Sequence, residues 1–277
     1  MSLTALLEKY APCTVQHQGR LYSFRQGGKG ERTLVLLHGI GTDSASWVQQ
    51  LHAFAPDCRV IAWDAPGYGQ STPLEAAAPV AADYAQALLG LFEALKIKRA
   101  LLVGQSLGAI MAAAFAARHP ERVEKLVLTG AAGGYGAAPP EERAEKLAAR
   151  IKQMSELGPE GMARGRGANM LTEAADEELR DFMAACTQRL NPAGYIQGAQ
   201  LLAGAVLARD AARYPAPTLV LSGSADKVTP EAGCRAIAQA FACGYYRGLP
   251  DLGHGAYVEG AKVINNILST YFGFESQ

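Results

Sequence analysis

Residues 99–118 read RALLVGQSLGAIMAAAFAAR and place an apolar run, a tight turn and an alanine-rich run in direct succession. The run from Arg99 to Val103 predicts a buried strand, and the run from Leu107 to Arg118 predicts a helix. Glycines stand two residues before and two residues after Ser106. A strand that turns at once into a helix strains the serine backbone and lifts the hydroxyl clear of the sheet. This stretch therefore predicts a parallel sheet with a nucleophilic serine at its edge.

The same alternation of short β-rich runs and longer helical runs continues on both sides of this stretch. Helices are predicted at residues 44–54, 82–97 and 258–271. The first two strands are close enough to form an antiparallel hairpin, whereas strands joined by helices must pair in parallel. We therefore expect the α/β class, with a mostly parallel eight-stranded sheet and helices on both faces. The predicted strands span residues 15–17, 21–25, 33–37, 59–63, 99–103, 124–128, 218–221 and 244–247.

The alternation stops between Gly133 and Arg213, where the pattern is helical and no strand is predicted. We interpret residues 133–213 as a helical cap, or lid, inserted into a core domain made of residues 1–132 and 214–277. Because the insertion leaves the sheet just after a strand, it should roof the same edge that carries Ser106. The glycine-rich entry at residues 133–136 is a candidate hinge.

Composition excludes several classes of function. The chain has 26 basic and 26 acidic residues, so it lacks the positive field that nucleic-acid binding needs. Its five cysteines are scattered and predict buried free thiols, with neither a disulfide framework nor a metal site. The N-terminus does not read as a secretory signal, and the richest apolar run, residues 107–117, is too short to span a membrane. We expect a cytoplasmic protein, monomer or homodimer, that binds a small molecule without any cofactor.

A serine nucleophile needs a base, and His254 is the best placed of the five histidines. It lies in a predicted loop after the last strand, at the sheet edge where the carboxyl ends of the strands meet. The histidines at 17, 52 and 119 fall in the hairpin or in helices, where solvated roles are expected. His38 begins a glycine-containing loop and is expected to be structural.

Asp226 is the expected partner of this histidine, because it directly follows the strand predicted at residues 218–221. Asp64 more often caps a turn, and Asp251 stands only three residues before His254. The order Ser, Asp, His along the chain differs from the orders of the two familiar serine protease arrangements.

An oxyanion would be stabilised by backbone N–H groups. Leu107, the first residue of the predicted helix, is one expected donor. The second should come from the loop after residues 33–37, where Ile40 is the first choice and Gly41 the second. Glycines in this loop let the amides turn inward without a Cβ in the way.

Taken together, these stretches resemble the α/β-hydrolase family over nearly the whole chain. The resemblance is strongest to bacterial carboxylesterases, enol-lactonases and carbon–carbon bond hydrolases of aromatic degradation. It implies a triad at Ser106, Asp226 and His254. One departure separates the chain from the carbon–carbon hydrolases, which usually carry an aromatic residue after the catalytic histidine, where this chain has Gly255. The matching segments are residues 36–39, 63–69, 103–108, 223–226, 228–230 and 252–254.

The expected function is hydrolysis of a carboxylic ester or lactone of a small, partly apolar substrate through an acyl-enzyme on Ser106. Two alternatives stay open: cleavage of a carbon–carbon bond in a vinylogous diketone, and a ligand receptor on the same fold without turnover. Gln105 and several cap residues are expected to bind the substrate, with an arginine meeting any carboxylate. The cap candidates are Met162, Arg164, Arg166, Met170, Leu171, Phe182 and Tyr195.

Overall fold

The fold is described from a computed structural model over residues 1–274, without the side chains of residues 165–169. The predicted mostly parallel, eight-stranded sheet is confirmed. Most strands extend one to three residues beyond their predicted ends. In chain order the strands are β1 (Pro12–His17), β2 (Arg20–Gly27), β3 (Thr33–Leu37), β4 (Arg59–Asp64), β5 (Ala100–Gln105), β6 (Val123–Thr129), β7 (Thr218–Gly223) and β8 (Gly244–Leu249).

The strands lie in the order β1-β2-β4-β3-β5-β6-β7-β8 across the sheet. β1 and β2 pair antiparallel with each other, and β2 pairs antiparallel with β4, whereas all other pairs are parallel. After β3 the chain forms β4 on one side of β3. It then returns to form β5 on the other side of β3, and β6, β7 and β8 follow in that direction. The carboxyl ends of β3 and β5 therefore form a crevice, which is where open α/β sheets bind ligands.

Helices cover both faces of the sheet and supply the crossovers between parallel strands. Among residues 1–274 they are α1 (Leu3–Lys9), α2 (Val48–Phe54), α3 (Ala81–Ala94), α4 (Leu107–Arg118), α5 (Pro140–Met170), α6 (Glu177–Gln188), α7 (Pro192–Gly204), α8 (Leu207–Ala211), α9 (Glu231–Ala240), α10 (Ala256–Glu259) and α11 (Ala261–Phe272).

The core lies on both sides of the central strands. Every residue of β3 and β5 is buried. Alternate residues of β3 belong to two different apolar clusters, Val35 to one and Leu36 to the other, because successive side chains of a strand point to opposite faces. The first ten residues of α4 are buried as well, and their small alanine side chains let this helix pack closely on β5.

Residues 133–213, which we call the cap, join β6 to β7. They contain α5 to α8 and no strand, in agreement with the sequence pattern. Gly158 has φ 58° and stands before Pro159, so α5 is broken into two helical pieces at this point.

Two predicted helices differ in detail. Residues 44–47 form a 3-10 turn ahead of α2, and the Asp43 side chain at its start accepts a hydrogen bond from the N–H of Ala45 at 3.1 Å. The helix predicted at residues 82–97 ends at Ala94, since Lys96 adopts φ 56° and cannot continue it.

The thiols are buried at only three of the five cysteine positions, Cys58, Cys186 and Cys234. Cys13 is half-buried because β1 forms the edge of the sheet, and Cys243 is exposed in the turn before β8. The expectation of buried thiols was therefore wrong for these two residues.

Candidate active site

Ser106 lies at the turn between β5 and α4. Its backbone adopts φ 52° and ψ −113°, and a non-glycine residue in such a conformation costs roughly 1–3 kcal/mol. The N–H of Ser106 donates to the carbonyl of Thr129 at 3.1 Å, which ties the turn to β6. Strain of this kind persists only where the surrounding structure enforces it, and it is concentrated at functional sites.

The glycines on either side of this serine have a steric reason to be there. A Cβ at Gly104 would lie 2.4 Å from the carbonyl oxygen of Gly108, and a Cβ at Gly108 would lie 2.4 Å from that of Leu37. Both distances are far below van der Waals contact. A larger residue at either position would force the backbone of the turn to move.

His254 and Asp226 form a buried hydrogen-bonded pair at the carboxyl edge of the sheet. Asp226 follows β7, and His254 lies in the loop between β8 and α10. Nδ1 of His254 lies 2.8 Å from Oδ2 of Asp226, and both side chains are almost completely buried. With Nδ1 donating to the carboxylate, the neutral ring presents Nε2 as an acceptor.

The Asp226 carboxylate is held by several further donors. Its Oδ1 accepts from the N–H groups of Val228 and Thr229, both at 2.8 Å, and its Oδ2 accepts from the Thr229 hydroxyl at 2.8 Å. Burial by itself would raise the pKa of this carboxyl. The hydrogen bonds from His254 and Thr229 outweigh burial and lower the pKa below its ordinary value, so the group is a carboxylate at neutral pH.

Gly130, directly after β6, lies beside the hydrogen-bonded pair of His254 and Asp226. It adopts φ 51°, and a Cβ at this position would lie 3.1 Å from Nδ1 of His254. The positive φ and the crowding both favour glycine. No side chain at the end of β6 competes with Asp226 for the histidine.

Gln105 occupies the free side of the histidine ring. Its Nε2 lies 3.2 Å from Nε2 of His254, and its Oε1 is buried without a partner among the described residues. A Cβ at Gly39 would lie only 2.3 Å from this oxygen. No hydrogen bond joins Ser106 to His254 in the described structure, although both line one cavity. Such bonds are often formed only in the substrate complex.

His38 and Asp64 make hydrogen bonds to the loops around the site. Nδ1 of His38 donates to the carbonyl of Gly39 at 2.8 Å, and its Nε2 accepts from the N–H of Ala65 at 3.1 Å. Burial lowers the pKa of His38, which keeps the ring neutral. The Asp64 carboxylate accepts from the Ser23 hydroxyl at 2.6 Å and from the N–H of residue 44 at 2.8 Å.

The loop after β3 faces Ser106 from the opposite side of the crevice. Ile40 and Gly41 line the same cavity as Ser106 and Leu107, so the structure brings together all the expected oxyanion donors. The Tyr68 hydroxyl donates to the carbonyl of Ile40 at 3.1 Å and holds the loop from below.

A cavity of about 510 Å³ lies between the cap and the carboxyl edge of the sheet. Ser106 and His254 stand at its floor, and the first half of α5 forms part of its roof. The lining residues are Gly39, Ile40, Gly41, Gln105, Ser106, Leu107, Ala132, Tyr135, Lys146, Ala149, Arg150, Gln153, Met170, Leu202, Val228, Thr229 and His254.

Two of the expected substrate-binding residues, Gln105 and Met170, line this cavity. Met162 and Tyr195 do not line it and are packed in the apolar core, with at most 1% of their surface exposed. Their apolar bodies face neighbouring helices because a half-buried cap has to bury one face of every helix.

The other cap candidates also fall away from the cavity. Leu171 and Phe182 are buried in the same apolar cluster as Met170 but do not line the cavity, and Arg164 is exposed. The side chain of Arg166 lies outside the described part of the structure.

Four lining residues on α5 were missed by the sequence reasoning. Lys146, Ala149, Arg150 and Gln153 are spaced i, i+3, i+4 and i+7, which places them on one face of the helix. That spacing is visible in the sequence. The sequence does not show which face of the helix meets the sheet, because packing decides it.

Two absences apply to the described residues. Across residues 1–274, no helix combines the length and apolarity that crossing a membrane requires. Among the same residues, His, Cys, Asp and Glu side chains nowhere gather in groups of three that could hold a metal ion.

The fold and the Ser106 turn together define a class of protein. A family model described as the alpha/beta hydrolase fold matches residues 32–261. This chain belongs to the alpha/beta hydrolase family.

Individual relatives narrow the comparison. A 2-hydroxy-6-oxononadienedioate/2-hydroxy-6-oxononatrienedioate hydrolase of Paraburkholderia phymatum is 43% identical over 117 residues, 41% of this chain. The matched part spans only 40% of that relative's length. A protein of the same description from Cupriavidus pinatubonensis is 28% identical and covers 89% of this chain and 88% of its own. The solved enol-lactonase of Burkholderia xenovorans LB400 has a TM-score of 0.85 and 25% identity, covering 94% of this chain and 100% of its own.

Proposed function

We propose that this protein is a serine hydrolase that cleaves a carboxylic ester or lactone through an acyl-enzyme on Ser106. The observation that carries the proposal is the meeting of Ser106, on its strained turn, with the buried His254 and Asp226 pair at one cavity. A serine hydroxyl is a weak nucleophile until a neighbouring base removes its proton, and a carboxylate-oriented imidazole is such a base.

In the proposed reaction, Nε2 of His254 takes the proton of Ser106 as the serine oxygen attacks the substrate carbonyl. The amides of Leu107 and Ile40, or of Gly41, hold the oxyanion. The histidine then gives its proton to the leaving alcohol oxygen, which leaves an acyl-enzyme. Water, activated by the same histidine, attacks the acyl carbonyl and releases the acid. Before each cycle the Gln105 amide has to move away from Nε2 of His254, so that this nitrogen can accept the serine proton.

The surroundings of position 255 favour an ester or lactone over a carbon–carbon bond. A Cβ at Gly255 would lie 2.8 Å from the Leu171 side chain, and the N–H of Gly255 donates to the carbonyl of Met170 at 2.6 Å. The end of α5 thus fills the space in which the carbon–carbon hydrolases usually carry an aromatic side chain. Similarity to an enol-lactonase over 94% of this chain points in the same direction.

Covalent labelling tests the nucleophile. A fluorophosphonate should add one mass increment to the folded protein, and peptide mapping should locate it on Ser106. The Ser106→Ala variant should remain unlabelled, while Ser222→Ala, at a buried serine in β7, should be labelled like the wild type. Labelling at another residue, or none on the folded wild type, would contradict the assignment.

Carbon–carbon bond cleavage is the second candidate, since several relatives are named as 2-hydroxy-6-oxononadienedioate hydrolases. A spectrophotometric comparison of a ring-fission diketone with p-nitrophenyl esters separates the two reactions. We expect kcat/KM to be higher for the esters. Turnover of the diketone alone would favour the second candidate, and binding of either compound without turnover would favour a ligand receptor.

A further inference from the structure

One face of α5 forms the part of the cavity roof that carries charge. Lys146 and Arg150 lie on this face, together with the uncharged residues Ala149 and Gln153. Within the described part of the chain, no aspartate or glutamate lines the cavity. A ligand in this cavity therefore meets cationic side chains at the roof, opposite Ser106.

Lys146 is the less available of the two cations. Its Nζ lies 3.4 Å from a carboxylate oxygen of Glu142 and 4.8 Å from the centre of the Tyr135 ring. Its side chain is also 41% exposed, so water and Glu142 already compensate much of its charge.

Arg150 is held differently. It is half-buried, and no carboxylate among the described residues forms an ion pair with it. The side chains of Tyr135 and Tyr195 interact with its guanidinium. Burial lowers the pKa of Arg150, but these tyrosines raise it by more, and the group remains charged. Tyrosine hydroxyls carry no charge at neutral pH, so these neighbours do not neutralise the cation.

We propose that the substrate carries a carboxylate and that Arg150 binds it, an inference that rests on the proposed function. A guanidinium carries five N–H donors in a planar fork that matches a carboxylate. A partly desolvated cation without a carboxylate partner favours an anion from the ligand. The apolar side chains of Met170 and Leu202 line the same cavity and suit a hydrocarbon link.

The substrate class that follows is the monoester or lactone of a dicarboxylic acid. The reacting carbonyl lies at Ser106, and the second carboxylate lies at Arg150. In this arrangement Arg150 is a specificity-determining residue, which distinguishes substrates by their far end and takes no part in the proton transfers.

A matched pair of esters tests the inference. The p-nitrophenyl monoester of glutaric acid ends in a carboxylate, and p-nitrophenyl pentanoate has the same length without the charge. The wild type should prefer the charged ester. Arg150→Gln should lower the ratio of the two kcat/KM values by roughly 10- to 100-fold, mainly through KM, because it removes a charge-assisted hydrogen bond. Arg150→Lys should restore part of the ratio, since it keeps the charge but not the fork.

Lys152→Gln is the matched control on the same helix. Lys152 is 72% exposed and pairs with Glu156 outside the cavity, so its loss should leave the ratio unchanged. An equal fall in kcat/KM for both esters in Arg150→Gln would overturn the inference and make Arg150 a structural residue. So would a wild type without preference for the charged ester.

Binding of glutarate separates this inference from the proposed reaction. Calorimetry on Ser106→Ala should detect glutarate, and the additional Arg150→Gln change should weaken its binding roughly 10- to 100-fold. If the wild type turned over no ester while glutarate binding still depended on Arg150, the proposed function alone would be refuted. Binding that ignores Arg150, or tighter binding of inorganic phosphate than of glutarate, would refute the carboxylate inference alone.

Discussion

At the scale of single residues, the Asp226 carboxylate is the most constrained group of the site. Its two oxygens accept from His254, from the Thr229 hydroxyl and from two backbone N–H groups. Thr229 also lies 3.1 Å from Nδ1 of His254, so one hydroxyl touches both members of the pair. The carboxylate therefore has one orientation, and it presents one oxygen to the histidine.

Replacing this carboxylate should damage turnover much more than folding. Asp226→Asn should lower kcat by roughly 10⁴-fold, because the amide favours the wrong histidine tautomer. Steady-state kinetics on p-nitrophenyl esters measures the effect, and urea unfolding checks the fold. Asp251→Asn, at an exposed aspartate in the loop before His254, is the matched control and should keep near-normal kcat. A large loss in that control, with little loss in Asp226→Asn, would transfer the role to Asp251.

At the scale of elements, α6 is fastened to the loop that carries the proposed oxyanion donors. Arg189, at the end of α6, makes hydrogen bonds of 2.7 and 3.1 Å to the two carboxylate oxygens of Asp43. The Thr187 hydroxyl donates to the carbonyl of Gly41 at 3.0 Å. Asp43 is only 9% exposed in its side chain, so this pair is less screened by water than a surface pair. The cap thereby positions the loop as well as covering it.

A double-mutant cycle measures this fastening. The single changes Asp43→Asn and Arg189→Gln should be non-additive in the free energy of unfolding, with a coupling of about 1–2 kcal/mol. Each should also lower kcat through the displaced amides of Ile40 and Gly41.

The pair Glu231 and Arg235 on α9 is the control, because both side chains are more than a third exposed. Its coupling should be about 0.3–0.5 kcal/mol, and its variants should keep full kcat. Equal couplings for the two pairs, or normal kcat when the first is broken, would contradict a positioning role for α6.

At the scale of the whole molecule, a buried neutral histidine should make stability depend on pH. The pKa of His38 is lowered by burial, between the carbonyl of Gly39 and the N–H of Ala65. Its contribution to stability is complete above about pH 6.5, where the ring in the unfolded chain is also neutral. Below that pH the unfolded chain takes up a proton that the folded protein excludes, so the free energy of unfolding falls by up to about 1.4 kcal/mol per pH unit.

Urea unfolding between pH 7.5 and pH 5.5 measures this dependence. His38→Asn should reduce the slope of the free energy of unfolding against pH, whatever its effect at pH 7.5. In the wild type, ring NMR signals of His38 should show a pKa below 6.5. A His38 ring that titrates near pH 6.5 in the folded protein would contradict the expectation.

Much of the fold followed from local sequence patterns. The eight strands and several of the helices between them were predicted, because buried strands and amphipathic helices have characteristic spacings of apolar residues along the sequence. The N-terminal helix α1 was not predicted. The Ser106 turn could be predicted as well. A Cβ at Gly104 would meet the backbone of Gly108, and a Cβ at Gly108 would meet the backbone of Leu37, so both positions favour glycine. His254 and Asp226 could be chosen because parallel strands bring their carboxyl ends to one edge, whatever the details of packing.

The face that each cap helix turns toward the cavity was decided only by tertiary structure. Sequence reasoning chose Met162 and Tyr195, whereas Lys146, Arg150 and Gln153 line the cavity. Hydrophobic periodicity shows that a helix buries one face, but it does not distinguish a face packed on the core from one that faces a ligand. The first half of α5, before the break at Gly158, lines the cavity together with Ser106. The distinction between a cavity-lining face and a core-packed face exists only once helices from distant parts of the chain are packed together.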